Sequence, residues 1–109
     1  MPPDVWGSDT AELIVTVTSA TVRLFCAHGT IEQPLSVDVT GHFAARGFLV
    51  REGGPVAIDE SPFRRPAGYA GWTDGRTMIL VVTPDMLTPL GPFVLVRGQK
   101  GSLSSCPIL

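Results

Sequence analysis

The chain has 109 residues, with ten acidic and eight basic side chains, a net charge of −2 and 44% hydrophobic residues. This length predicts one domain, and the charge balance excludes a strongly basic nucleic-acid footprint or a polybasic membrane patch. No apolar run approaches the roughly 18 residues that a membrane-spanning helix needs, so we expect neither a nucleic-acid partner nor a membrane span.

The first predicted elements form a hairpin. Residues 1–10 are expected to be a lead-in, and residues 11–109 to form a single β domain. Apolar residues at every second position predict a strand over residues 13–18 and a second over residues 21–26. Because only two residues separate these runs, we expect them to pair.

The middle of the chain mixes short strands with long connections. A loop is expected over residues 27–35, followed by a short strand at 36–39 and a longer one at 42–50. Gly47 is a candidate bulge within the longer strand. The connection at 51–66 is long for a structureless loop, so we expect it to be functional or partly ordered.

The C-terminal part contains the strongest strand signals. A strand at 69–73 leads into Asp74-Gly75, which predicts a type I′ hairpin turn. The partner strand at 76–83 is apolar on both faces in its middle, which predicts a central strand. Further strands are expected at 93–97 and 102–106.

About eight short strands at regular spacing, with no convincing helix, predict an all-β protein. Successive hairpins without a helix to cover an edge favour a small antiparallel up-and-down barrel, because closure removes exposed edges. A two-sheet β-sandwich is the alternative. A barrel of this size is filled by side chains or holds one small ligand.

Cys26 and Cys106 are the two cysteines, and an even count in a small loop-rich chain favours one disulfide. Such a bond predicts an oxidising compartment, secreted or periplasmic. The start, Met1-Pro2-Pro3-Asp4, has neither the basic residues nor the apolar stretch of a signal peptide. We therefore expect a mature fragment whose export segment has been removed.

Several landmarks occur along the chain: Cys26-Ala27-His28-Gly29-Thr30-Ile31, Gly41-His42-Phe43, Gly53-Gly54-Pro55, the run Asp74-Gly75-Arg76-Thr77-Met78-Ile79-Leu80-Val81-Val82-Thr83, Gly91-Pro92-Phe93 and the final cysteine. Together they resemble those of a group of small exported bacterial proteins that look like lipocalin-like or META-like β-barrels. The resemblance covers residues 11–106 and implies export, a barrel and a Cys26–Cys106 pair, with no chemistry attached.

The two histidines are the candidates for metal or catalytic chemistry. His28 follows Cys26 by two positions, and with His42 and Cys106 it would complete a zinc-binding set. A disulfide would remove both thiolates, so we predict no metal and no cofactor. His28 is instead expected to bond within its loop, and His42 to lie in a solvated turn.

The candidate binding residues cluster in and after the long connection. Adjacent arginines can clamp an anion, and aromatic side chains with a polar group suit the rim of a pocket. An exposed Phe63 would be a docking point for a partner. The predicted ligand- or partner-binding residues are Phe63, Arg64, Arg65, Tyr69, Trp72 and His28.

Three functions follow from these patterns. The first is an exported binding module for a small apolar or amphipathic ligand, or for a protein partner, without catalysis. The second is a protease or enzyme inhibitor that acts through the 51–66 loop, by analogy of fold. The third is a small hydrolase or metal-dependent enzyme that uses His28, His42 and the carboxylates of Asp59-Glu60.

Overall fold

Eight antiparallel strands, each hydrogen-bonded to the next along the chain, make up this protein in a computed structural model that describes residues 1–51 and 64–103. In order, the strands are β1 (Asp4–Gly7), β2 (Ala11–Val15), β3 (Ala20–Leu24), β4 (Ala27–Ile31), β5 (His42–Arg51), β6 (Arg64–Thr73), β7 (Thr77–Pro84) and β8 (Leu90–Arg97).

Pairing between the first and last strands closes the sheet. Trp6 lies opposite Arg97 and Gly7 lies opposite Val96, in antiparallel register. The strands are therefore ordered β1 to β8 around one closed barrel, which confirms the predicted small eight-stranded barrel over the two-sheet sandwich. The described residues include no helix long and apolar enough to cross a membrane.

Two strands lie where the sequence predicted none. β1 falls inside the expected lead-in, and β4 occupies most of the expected loop at 27–35. The strand expected at 36–39 does not form; instead Leu35 is buried at one end of the barrel and Val37 packs against the same core. Residues 102–103 also lie outside any strand.

Alternation along each strand fills the barrel interior. In β3, for example, Ala20, Val22 and Leu24 are buried and the residues between them are exposed. The largest fully buried side chains are Tyr69, Leu13, Ile31, Met78, Leu80, Leu95, Val22 and Val82. The described interior is thus packed with side chains, as expected for a barrel of eight strands.

β7 follows the same alternation, which corrects the prediction of a strand buried on both faces. Leu80 and Val82 are fully buried, while Ile79 is 40% exposed on the outer surface. A closed barrel has only one buried face, so apolar residues on the other face meet solvent. The predicted bulge at Gly47 is also wrong, since Gly47 pairs regularly with Ala67; the irregularity lies between β7 and β8, near Leu80 and Val82.

Asp74-Gly75 forms the predicted hairpin, but with a different turn. The backbone N–H of Asp74 donates to the carbonyl of Thr77, so Gly75 and Arg76 are the two central residues. Only Gly75 has a positive φ, of 95°, whereas a type I′ turn needs two such residues. A positive φ at the first central residue alone is the type II′ pattern.

The alternating strand directions define two ends. We call the end with the β1–β2, β3–β4 and β7–β8 turns the upper end, and the opposite end the lower end. At the lower end, Arg97 Nε donates to Asp4 Oδ2 at 2.6 Å, and this bond lowers the pKa of Asp4.

After β8, residues 98–103 (the tail segment) run back toward the upper end: the backbone N–H of Gly98 donates to the carbonyl of Val5, and that of Ser102 donates to the carbonyl of Ser8.

Candidate functional site

A pocket of about 390 Å³ at the upper end has mainly apolar walls. β8 extends past β1 there, because β1 stops at Gly7, opposite Val96, while β8 begins at Leu90. Side chains of neighbouring turns and of the tail segment complete the wall on that side. The pocket, which we call the upper pocket, is lined by Asp9, Thr10, Leu24, Phe25, Ala27, Leu90, Gly91, Phe93 and Leu103.

The walls and the rim of the upper pocket differ in polarity. Phe25, in the β3–β4 turn, is 57% exposed, and Leu90 is also exposed. Asp9 and Thr10, in the β1–β2 turn, contribute the polar groups. An apolar recess with a few polar groups at one side is the usual composition of a small-molecule or side-chain binding site.

None of the residues that line the upper pocket was predicted from the sequence, although the sequence contains one signal for them. In the predicted strand at 21–26, Phe25 lies on the same face as Thr21 and Arg23. It is therefore an aromatic residue on an otherwise polar face. The sequence contains no such signal for Leu90 and Leu103. These two residues line the same pocket only because β8 extends beyond β1 and because the tail segment runs back to the upper end.

The predicted arginine pair does not form one anion clamp. Arg64 lies 4.1 Å above the Phe48 ring and forms a 3.0 Å ion pair with Glu32. Arg65 donates instead to the backbone carbonyl of Asp85 at 3.1 Å. Neighbouring residues of a strand point to opposite faces, so two adjacent arginines on β6 cannot converge on one ligand.

The predicted aromatic rim is also dispersed. Tyr69 belongs to the core rather than to a rim: it is fully buried, and its hydroxyl donates to the carbonyl of Phe48 at 2.6 Å. Burial raises the pKa of Tyr69 to about 12. Trp72 is half-buried in the lower half of β6, where its indole N–H donates to the carbonyl of Thr40 at 3.0 Å. Phe63 lies outside the described residues.

The two histidines lie at different ends of the barrel. His28 is half-buried on β4, opposite Val50 near the upper end of β5, whereas His42 begins β5 at the lower end. Val50 lies eight steps along the extended strand from His42, roughly 26 Å at the usual rise per residue. The hypothesis of a metal site containing both histidines is therefore wrong, and the described residues hold no group of three or more potential metal ligands.

His42 takes part in a short hydrogen-bonded chain in the β4–β5 connection. The Thr40 hydroxyl donates to Asp38 Oδ1 at 2.7 Å and lies 2.9 Å from His42 Nδ1. Since the single hydroxyl proton points to Asp38, Nδ1 of His42 must carry the proton of the second bond. The bonds from the Thr40 hydroxyl and the His42 backbone N–H lower the pKa of Asp38.

This chain stabilises a turn rather than forming a catalytic cleft. Asp38 Oδ1 also accepts the backbone N–H groups of Thr40 and His42, both at 2.9 Å, as capping carboxylates of turns do. The imidazole of His42 is exposed and bonds to the Thr40 hydroxyl, which matches the solvated turn residue expected from the sequence. The Asp59-Glu60 pair lies outside the described residues.

Comparison with protein-family models, with curated proteins and with solved structures found no match to this chain.

Proposed function

We propose that this protein is a non-catalytic binding module that takes a small apolar or amphipathic ligand, or an apolar group of a partner, in the upper pocket. The observation that carries the proposal is the apolar recess of about 390 Å³ beside a tightly filled interior. This volume lies within the range of known ligand pockets, roughly 300–1,000 Å³. A ligand inside the barrel would have to displace side chains such as Leu13 and Leu80, both fully buried.

The polarity of the rim indicates which amphipathic ligands fit best. Asp9 and Thr10 lie on one side of the pocket, and Leu24, Phe25 and Phe93 provide apolar walls. The carboxyl oxygens of Asp9 favour a ligand whose polar end is a cation or a hydrogen-bond donor. A long-chain amine is therefore expected to compete better for the pocket than the fatty acid of equal length.

The proposal includes export and a Cys26–Cys106 disulfide, and it keeps the resemblance to exported barrels as a hypothesis. Phe25, the neighbour of Cys26, lines the upper pocket together with Leu103. Cys106 follows Leu103 by three residues, a length of chain that spans at most about 10 Å. Cys106 itself lies outside the described residues. The short length of chain between Leu103 and Cys106 supports a bond to Cys26.

A fluorescence titration with the neutral probe N-phenyl-1-naphthylamine tests the proposed function. We expect saturable binding to the wild-type protein and binding at least tenfold weaker to Phe25→Glu, which places a charge in the pocket wall. Val17→Glu is the matched control, because Val17 is 73% exposed in the β2–β3 turn at the lower end. Equal binding by the two variants, or no binding by the wild type, would contradict the proposal.

The inhibitor hypothesis stays a prediction. Residues 52–63, which form most of the loop that would enter a target enzyme, lie outside the described residues.

A further inference from the structure

We propose that the upper pocket recognises a quaternary ammonium group, through the rings of Phe25 and Phe93 and the carboxyl oxygens of Asp9. This inference rests on the proposed function and names the ligand class for the same site, an amphipathic molecule that carries a trimethylammonium group. It follows from the side chains that line the pocket and from the contacts that those side chains leave unused within the described part of the chain.

Two aromatic side chains line the upper pocket. Phe25, in the β3–β4 turn, is 57% exposed, and Phe93 is half-buried on β8. The face of an aromatic ring carries a partial negative charge, which attracts a cation. A sphere of 390 Å³ is about 9 Å across, so a cation at its centre lies within the roughly 6 Å over which this attraction acts. A cationic group in the pocket is therefore close to both rings.

Neither of these rings has a cation from the chain itself. Within residues 1–51 and 64–103, the guanidinium of Arg64 lies 4.1 Å above the ring of Phe48, but no lysine or arginine stacks on Phe25 or Phe93. The described residues that line the pocket also include no lysine, arginine or histidine. A cationic ligand therefore meets no like charge in the pocket wall.

Asp9 differs from the other described aspartates in the use of its carboxyl group. Asp4 and Asp85 accept hydrogen bonds from arginines, and Asp38 and Asp74 accept backbone N–H groups of their own turns. In the part of the chain that the structure describes, no group donates to the carboxyl of Asp9, which lines the upper pocket. Its oxygens are therefore available to a cationic group of a ligand.

The sparse polar lining favours a quaternary over a primary ammonium. A primary ammonium has three N–H donors, and its transfer out of water is costly unless these donors find acceptors. Asp9 and Thr10 are the polar side chains of the described lining, and the Thr10 hydroxyl already lies 3.1 Å from Ser8 Oγ. A trimethylammonium group has no N–H donor, and its methyl groups suit apolar walls such as Leu24 and Leu90.

The test uses the full chain and displacement of N-phenyl-1-naphthylamine by three small molecules at constant ionic strength. Choline carries the trimethylammonium group. Ethanolamine keeps the positive charge and lacks the methyl groups, whereas 3,3-dimethylbutan-1-ol keeps the shape of choline and replaces its nitrogen by carbon. We expect choline to displace the probe at a concentration at least about fivefold lower than either of the other two, because it alone combines the charge with the apolar surface.

Three variants assign the preference to side chains. Phe25→Leu keeps an apolar wall and removes the ring, and Asp9→Asn keeps the shape of the rim and removes one carboxyl oxygen. We expect each to reduce the preference for choline over 3,3-dimethylbutan-1-ol by at least about twofold. Phe48→Leu is the matched control, because the same substitution removes a ring that does not line the upper pocket, and it should leave the preference unchanged. Each preference compares two ligands on one variant, so a change in stability does not alter it.

A second measurement identifies the source of the quaternary ammonium. Vesicles of phosphatidylcholine present the same group on a lipid surface, and sedimentation shows whether the protein binds to them. Cosedimentation supports a lipid headgroup as the ligand. Displacement of the probe by choline without cosedimentation supports a free small molecule.

Equal displacement of the probe by choline and 3,3-dimethylbutan-1-ol would overturn the inference. An unchanged preference in both Phe25→Leu and Asp9→Asn would also overturn it, because the proposed side chains would then not recognise the cation. Probe binding without a preference for choline would refute the quaternary ammonium and leave the proposed function intact, whereas a wild-type protein that binds no probe would refute the two together.

Discussion

Glu12 and Gly101 join the outer surface of the barrel to the tail segment: Glu12 Oε2 accepts the backbone N–H of Gly101 at 2.7 Å. Glu12 points outward from β2 and yet is only 5% exposed. Gly7 lies beside it, and a Cβ at Gly7 would approach the backbone nitrogen of Gly101 to 2.6 Å. These contacts fix the course of residues 98–103 and so bring Leu103 to the upper pocket.

Replacing Glu12 by alanine is expected to destabilise the protein by about 1–3 kcal/mol, because a covered backbone N–H loses its partner. Arg23→Ala is the control: Arg23 lies 3.5 Å from Glu12 Oε1, but its side chain is 58% exposed, and exposed ion pairs contribute about 1 kcal/mol or less. Urea denaturation measures both changes. We also expect Glu12→Ala to bind N-phenyl-1-naphthylamine more weakly, because the tail segment that brings Leu103 to the upper pocket is less well fixed. Equal stability of Glu12→Ala and Arg23→Ala would contradict this role for Glu12.

Gly29→Ala is expected to cost at least about 2 kcal/mol, because a Cβ there would overlap the Tyr69 hydroxyl inside the barrel. Tyr69→Phe removes that hydroxyl and its bond to Phe48, at a cost of about 1–2 kcal/mol. The double variant should be more stable than the sum of the two single changes implies. Rescue is expected to be partial, since the Cβ would also lie 2.5 Å from the Phe48 carbonyl oxygen. Strict additivity in thermal or urea unfolding would show that the two positions do not interact.

The stability of the fold is expected to fall at high pH. Burial raises the pKa of Tyr69 from 10.0 to about 12, so the unfolded chain loses this proton at lower pH than the folded protein does. The corresponding stabilisation is fully present below pH 10 and is lost as the pH rises toward 12, a change of about 2–3 kcal/mol. Since Tyr69 is the single tyrosine, tyrosinate absorbance follows its titration directly. Tyr69→Phe should lack this component of the pH dependence.

The Cys26–Cys106 disulfide is expected to contribute about 4 kcal/mol, because it would close a loop of about 80 residues in the unfolded chain. Protein produced in an oxidising compartment should have a mass two hydrogens below that of the reduced chain and should not react with iodoacetamide until it is reduced. Cys26→Ser should lose most of this stabilisation. Two thiols that react with iodoacetamide in the unreduced protein would refute the disulfide and remove the main support for export.

The sequence predicted the barrel because most of its strands alternate clearly between apolar and polar residues. The two strands that were missed lack that signal. β1 has only four residues, Asp4–Gly7, and β4 reads Ala-His-Gly-Thr-Ile, where the central inward position is a glycine. Gly29 stands there to leave space for the Tyr69 hydroxyl, a contact between distant parts of the chain that periodicity does not encode.

The candidate site was harder to predict than the fold, for the same reason. The predicted residues Arg64, Tyr69 and Trp72 all belong to β6, but their side chains point to different places. Arg64 forms an ion pair on the outer surface, Tyr69 is buried in the core, and Trp72 lies near the lower end of the barrel. The upper pocket arises instead from the difference in length between β1 and β8. Such a difference depends on the register of strands far apart in sequence, which local patterns do not determine.

The most direct test of the binding proposal is a ¹H–¹⁵N NMR titration of the wild-type protein with N-phenyl-1-naphthylamine. We predict chemical-shift changes concentrated on upper-pocket residues such as Thr10, Phe25 and Leu90, with the amides of Leu13 and Leu80 in the barrel interior little changed. Changes centred on those interior residues would mean that the ligand enters the barrel, and an unchanged spectrum would mean that the pocket binds no apolar group; either result would contradict the proposal.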